Sequence, residues 1–250
     1  MNQSEFGRTW LKDSQRRQTD FSNTDQNRGV PAPPVQKVYD PEAPRVALGS
    51  AQNWRDVIQD RKLDRLIQDR KSRQRFADEP LSLEALSFLL WATQGVRARL
   101  HESAVLRTVP SAGCRHPFET YIAALNVTGL TPAIFRYLPL DHALLQEHSP
   151  KNLAASLAAA AHGQDFAGQA AATFIWTALP ARTEWRYAEA SYKVIALDAG
   201  HVCQNLYLAC EAINAGTCAI AAYNQDLMDA LLSIDGEKEF TVYLAPVGKV

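Results

Sequence analysis

The chain has 250 residues, 46% of them hydrophobic and 21% charged, a balance that suits an ordinary folded protein with a substantial core. A formal net charge of −1 excludes the basic excess of a general nucleic-acid binder. No apolar run approaches the roughly 18–20 residues of a membrane span, and with no apolar signal core at the start the expected location is cytoplasmic.

Residues 1–45 read as an extended N-terminal arm and residues 46–250 as the folded domain. The run Gly29-Val30-Pro31-Ala32-Pro33-Pro34-Val35 suits neither a helix nor a central strand. Such an arm wraps its own domain, crosses to a partner or stays disordered. Residues 54–71 carry apolar positions Val57, Ile58, Leu63, Leu66 and Ile67 at helical spacing among charges, which predicts an amphipathic helix. Its end is a basic cluster, Arg70-Lys71-Ser72-Arg73-Gln74-Arg75. Ser82 is a predicted N-cap for a helix over 83–95, closed by Gly95.

A loop over 107–117 follows, Arg-Thr-Val-Pro-Ser-Ala-Gly-Cys-Arg-His-Pro. Its small residues let backbone approach a flat ligand, its prolines fix the loop, and its cations suit an anionic group. The same composition is also ordinary turn chemistry. Strands are predicted over 120–127, 134–138, 172–179 and 239–247. Helices are predicted over 151–161, 198–215 and 226–232, the long one opened by Asp198 as cap with His201 in its first turn. Helices and strands mix without a regular βαβ alternation, so the fold class is α+β.

Chemistry-bearing candidates are few. Arg70, Lys71 and Ser72 offer two cations and a hydroxyl to a phosphate, or form a solvated basic surface. The segment 216–223, Gly-Thr-Cys-Ala-Ile-Ala-Ala-Tyr, has small residues that would lie flat against a ring or pack as a buried edge strand. Cys114, Cys203, Cys210 and Cys218 form no Cys-x-x-Cys pair, which removes zinc and thioredoxin-like readings. Cys203 and Cys210 read as core residues. Motifs of zinc peptidases, P-loop kinases and serine hydrolases are missing.

Taken in order, several segments resemble the FMN-dependent nitroreductase superfamily and, within it, the SagB-type dehydrogenase branch. They are Arg70-Lys71-Ser72-x-x-x-Phe76, Leu83–Val96, Leu106–Tyr121, Asp198-Ala-Gly-His201-Val-Cys-Gln204-Asn205-Leu206, Gly216–Ile220 and Tyr243–Lys249. The arm segment Thr24–Pro31 is similar to that branch too.

The resemblance implies a three-layer sandwich with a mostly antiparallel central sheet, an intertwined homodimer and FMN in clefts at the subunit interface. It also implies an oxidoreductase that takes hydride from NAD(P)H and passes it to small acceptors, such as nitroaromatics or quinones, in ping-pong fashion. Arg70, Lys71, Ser72 and Gln74 would meet FMN, with Lys249 a further phosphate candidate. Ser111, Ala112, Gly113, Cys114 and Arg115 would flank the isoalloxazine, and Ala221 and Ala222 would present backbone to it. Gln74 stands where the superfamily often has a basic residue, with Arg73 and Arg75 beside it. Azoline-oxidising members of the branch carry a Lys-Tyr pair where this chain has Arg186-Tyr187. These two are the catalytic candidates, although Tyr187 also suits a packed aromatic, and arginine cannot serve as a base. A peptide dehydrogenase forming azoles and a non-catalytic flavin-binding module are the alternatives.

Overall fold

A computed structural model describes residues 3–250. The first half runs through α1 (Gln3–Leu11), β1 (Arg45–Ala47), α2 (Leu63–Asp69), α3 (Leu83–Gln94), β2 (Val96–His101), β3 (Ala104–Arg107), β4 (Phe118–Ala124), β5 (Ala133–Leu138) and β6 (Ala143–His148). The second half adds α4 (Leu153–Ala160), α5 (Phe166–Gln169), β7 (Ala172–Ala178), α6 (Ala181–Tyr187), α7 (Ser191–Ala212), β8 (Ala215–Thr217), α8 (Gln225–Leu232) and β9 (Phe240–Lys249).

Alternation along the central strands builds the layers. Phe118, Ile122, Phe174 and Trp176 point to one face of the sheet, where they pack on Leu86, Leu89 and Leu90 of α3 and on Val202 and Leu206 of α7. Tyr121, Ile175 and Leu244 point to the other face and meet Leu157 of α4 and Met228 and Leu232 of α8. Side chains two apart on a strand share a face, so one sheet serves both cores. Seven strands lie in the order β1-β6-β5-β4-β7-β9-β8, with antiparallel neighbours throughout. This is the expected three-layer α+β sandwich. β2 and β3 form a separate hairpin that propensity did not single out.

Three expectations on local structure need correction. The arm is not extended throughout: it contains α1 and 3-10 turns at Asp13–Arg17 and Phe21–Asn23. The helix expected over 54–71 is only Leu63–Asp69. Upstream the chain turns so that Trp54 inserts against Phe88 and Trp91 and donates to Ser87 Oγ (3.0 Å), a tertiary anchor that overrides helical periodicity. The long helix begins at Ser191, seven residues before Asp198, which therefore is not its cap. The Asp198 side chain accepts from the backbone of another segment instead.

The arm docks on its own domain. Arg107 donates to the Val35 carbonyl (2.7 Å), Arg182 to the Pro34 carbonyl (2.8 Å) and Arg136 to the Lys37 carbonyl (3.0 Å). These arginines are 2–4% exposed, so the arm's carbonyls satisfy buried donors that would otherwise lack partners. Burial and the neighbouring Arg182 push the Arg107 pKa down to about 10. Burial works against the Glu119 charge as well, yet Arg182 and Arg136 hold its pKa below the usual range.

Candidate functional site

The first group of candidate residues gathers where the chain leaves α2 and runs beside β8. Ser72 bridges to Thr217, and Arg73 N–H donates to the Thr217 carbonyl (2.9 Å), so residues 72–73 extend the edge of the sheet. Glycine is required on the facing strands. A Cβ on Gly216 would lie 2.7 Å from Arg73 Cδ, and one on Gly248 would lie 2.8 Å from Phe76 Cβ.

Tyr207 of α7 organises this edge. Its hydroxyl shares a hydrogen bond with Ser72 Oγ (3.0 Å) and accepts from the Ala219 N–H (2.9 Å), and the Arg70 guanidinium lies 5.3 Å from its ring centroid. Arg73 is committed elsewhere: both its terminal nitrogens bond the buried Glu211 carboxylate, so it does not take over from Gln74. Arg61 also pairs with Glu211 (3.8 Å) and with Asp69. Gln74 donates to Cys218 Sγ (3.6 Å), and Lys249 Nζ to the Ile213 carbonyl (3.4 Å). Among the described residues, neither Arg70 nor Lys71 has an acidic partner. Both border an open pocket of about 730 Å³ with Asn214 and Val250, and the acids that also line it, Asp69 and Glu211, are paired with Arg61 and Arg73. Two cations without an ion-pair partner at an open pocket suit a phosphate such as that of FMN, with the Ser72 hydroxyl next in the chain and held by Tyr207.

A second group forms around residues 111–115. Gly113, Cys114 and His116 have φ of +58°, +55° and +46°, a left-handed path that favours glycine at the tightest point. Ser111 Oγ accepts from the His116 N–H (2.8 Å), and Ala112 N–H donates to Asp198 (3.3 Å). Burial raises the Asp198 pKa, while Ser111, Ala112 and His201 oppose the rise. Arg186 and Tyr187 lie directly on this loop. A Cβ on Gly113 would stand 2.6 Å from Arg186 Cδ and 2.8 Å from the Tyr187 hydroxyl. The next residue, Ala188, has φ +44° and ψ −131°, a costly conformation for a non-glycine residue.

The arm reaches this second group. Trp185 Nε1 donates to the Val30 carbonyl (2.7 Å), and Gln26 N–H donates to the Trp185 carbonyl (2.9 Å). The Arg115 guanidinium stacks 4.7 Å from the Trp185 ring centroid.

α7 joins the two groups. Asp198 touches the second and Tyr207 the first, nine residues apart on the helix, which is about 14 Å along its axis. The expected residues therefore form two clusters within one protomer. Ala221 and Ala222 are placed apart from the loop group, after the Ile220–Leu244 bridge, where the Ala222 carbonyl accepts from Gln164 (2.9 Å). Sequence reasoning missed Tyr207, Glu211, Trp185 and Arg182. A tyrosine inside a helical stripe looks like core, and only the chain crossing from Ser72 to Thr217 gives its hydroxyl two partners.

Comparison with known proteins agrees with this architecture. The chain is 30% identical over 192 residues to a protein named as a nitroreductase from Methanocaldococcus jannaschii, covering 77% of this chain and 93% of that relative. It is 26% identical over 167 residues to the trifolitoxin-processing protein TfxB of Rhizobium leguminosarum bv. trifolii, covering 62% of this chain and 44% of that protein. Among solved structures, a protein named as a nitroreductase from Anabaena variabilis superposes with a TM-score of 0.69 at 25% identity, over 86% of this chain and 43% of that one. Another so named, from Desulfovibrio desulfuricans and solved in complex with FMN, gives a TM-score of 0.52 at 18% identity, over 76% of this chain and 87% of its own. The nitroreductase family model matches residues 67–249, which include both clusters and all of α7, and the chain belongs to the nitroreductase family.

Proposed function

We propose that this protein is an FMN-dependent oxidoreductase that uses NAD(P)H to reduce small acceptors such as nitroaromatics or quinones, working as a homodimer. The observation that carries the reading is the division of the candidate residues into two clusters about 14 Å apart along one helix. Neither cluster is a whole site, and a two-fold arrangement would set the Arg70–Ser72 cluster of one copy against the 111–115 loop of the other.

Bound FMN would supply hydride chemistry, and the chain would supply grip, orientation and exclusion of water. Arg70 and Lys71 would neutralise the phosphate, with Lys249 nearby on β9. Ser72 and Gln74 would offer hydrogen bonds, and Tyr207 would hold Ser72 in place. Ser111, Ala112, Gly113, Cys114 and Arg115 would cover the ring, and Ala221 and Ala222 would present backbone groups to it. Tyr187 would give its hydroxyl proton to the acceptor, and Arg186 would face the acceptor beside it.

A visible spectrum tests this directly. The purified protein is expected to be yellow, to release FMN on denaturation, to bleach anaerobically with NADH or NADPH, and to sediment as a dimer. A colourless monomer that takes up no added FMN would contradict it.

The trifolitoxin-processing relative favours a second reading, oxidation of azolines in a peptide. Arg186 speaks against it, because a guanidinium does not give up its proton to serve as a base. In that reading Arg186→Lys would raise azoline oxidation in the presence of a leader peptide.

A further inference from the structure

The loop at Gly113 carries more positive charge than its acidic neighbours balance. Arg186 lies on the loop, its Cδ and Nε 2.6 and 2.8 Å from where a Gly113 Cβ would be. Its guanidinium carbon is 5.8 Å from the Tyr187 ring centroid, and among the described residues no carboxylate lies within ion-pair distance of it. Arg115, just beyond the loop tip, is 4% exposed and among the described residues donates only to neutral carbonyls, those of Arg182 (2.8 Å) and Ser103 (3.4 Å).

The acids of this neighbourhood are already engaged. Glu119 pairs with Arg182 and Arg136. Glu184 is bonded by the Tyr192 hydroxyl. Asp198 accepts from Ala112 and lies 3.7 Å from His201 Nδ1. Glu189 is exposed and borders a pocket with Asp20 and Asn23 of the arm. What remains is a guanidinium fork with free donors beside a phenol, both packed into the room that Gly113 leaves on the loop.

We infer that Arg186 and the Tyr187 hydroxyl form a receptor for a planar anion, so that the preferred acceptor carries a carboxylate. This rests on the oxidoreductase reading only for its kinetic test. A guanidinium matches a carboxylate with two parallel N–H bonds, which an amide of the same shape cannot reproduce. The phenol supplies a third donor. Arg186 is thereby a specificity-determining residue.

The experiment compares 4-nitrobenzoate with 4-nitrobenzamide, acid and neutral near-isostere, on the FMN-loaded full chain with NADH or NADPH. The wild-type ratio of kcat/KM, acid over amide, is expected to be about 10, the size of one hydrogen bond to a charged group. It should fall toward 1 in Arg186→Gln, keep an intermediate value in Arg186→Lys, and shrink as salt is raised. Equilibrium dialysis of benzoate against benzamide on the same proteins gives the ratio without turnover. A wild-type ratio below about 2 in both assays, or a ratio unchanged in Arg186→Gln, would overturn the inference. Failure of flavin uptake with a preserved benzoate preference would remove the oxidoreductase reading and leave the receptor standing.

Discussion

The Tyr207 hydroxyl lies 3.0 Å from the Ser72 hydroxyl and 2.9 Å from the Ala219 backbone nitrogen, tying α7 to both segments that pair at this edge of the sheet. The Ala219 N–H donates to the phenol, and either hydroxyl can supply the proton of the bond between Tyr207 and Ser72. Phenylalanine would keep the ring beneath Arg70 and lose both bonds. Tyr207→Phe is expected to weaken FMN binding about fivefold, the equivalent of about 1 kcal/mol for a lost hydrogen bond. Flavin fluorescence titration reads this. An unchanged Kd would mean that Ser72 is placed by the Thr217 pairing alone.

Lys71 and Arg70 have no acidic partner among the described residues, and both line the pocket of about 730 Å³. If they hold a phosphate, their loss matters only for a ligand that has one. Lys71→Glu is expected to raise the Kd for FMN about tenfold while that for riboflavin moves less than about twofold. The FMN affinity of the wild type should also fall with salt, as an exposed charge contact does. Equal losses for both flavins would place the phosphate elsewhere, with Lys249 the next position to vary.

Much of the framework was legible in the chain. The 83–95 helix needed only Ser82 as cap, and its side chain does accept from the Ala85 N–H (3.1 Å). The central strands were legible because Ala172–Ala178 is a run without a charged residue and is buried on both faces, as a strand between two cores must be. β1 and β8, with three residues each, carry too little pattern to be seen. Asp198 misled because Asp ahead of an apolar stripe reads as a cap, whereas its partner Ala112 is 86 residues away. The pairing of Arg186 and Tyr187 with Gly113 was equally hidden: nothing in sequence spacing says which side chain fills the room a glycine leaves.

The arm offers a test of packing that does not depend on flavin. Lys37 Nζ meets Glu239 Oε2 (2.6 Å) and the Tyr121 hydroxyl (3.1 Å), and Glu239 Oε1 also accepts from Thr177 Oγ1 (2.7 Å). Glu239 is 4% exposed, so removing its cation strands a buried charge. The Lys37 side chain is 36% exposed, and water recovers part of the loss. Lys37→Met is therefore expected to cost about 2 kcal/mol in denaturant unfolding, and adding Glu239→Gln should return about half of it. A cost within about 0.5 kcal/mol would show that the arm is held by its backbone carbonyls alone.

His116 makes the clearest pH prediction. Burial, and then the charge of Arg107, push its pKa from 6.5 down to about 3, with Arg182 and Arg115 acting in the same direction. The folded state therefore prefers the neutral ring, and below pH 6.5 the unfolded chain takes up a proton that the folded chain refuses. The contribution is intact above pH 6.5, declines as acid is added, and stops changing below about 3. One such group contributes a slope of at most about 1.4 kcal/mol per pH unit. Asparagine tolerates the left-handed backbone at this position, φ +46°, and does not titrate. His116→Asn lowers stability at neutral pH through the lost bond to the Val105 backbone, but its stability should fall less steeply than the wild type's between pH 6 and 4, on the order of 1 kcal/mol per unit less. Urea unfolding at several pH values measures the two slopes, and parallel curves would show that the imidazole charges freely inside the arginine cluster.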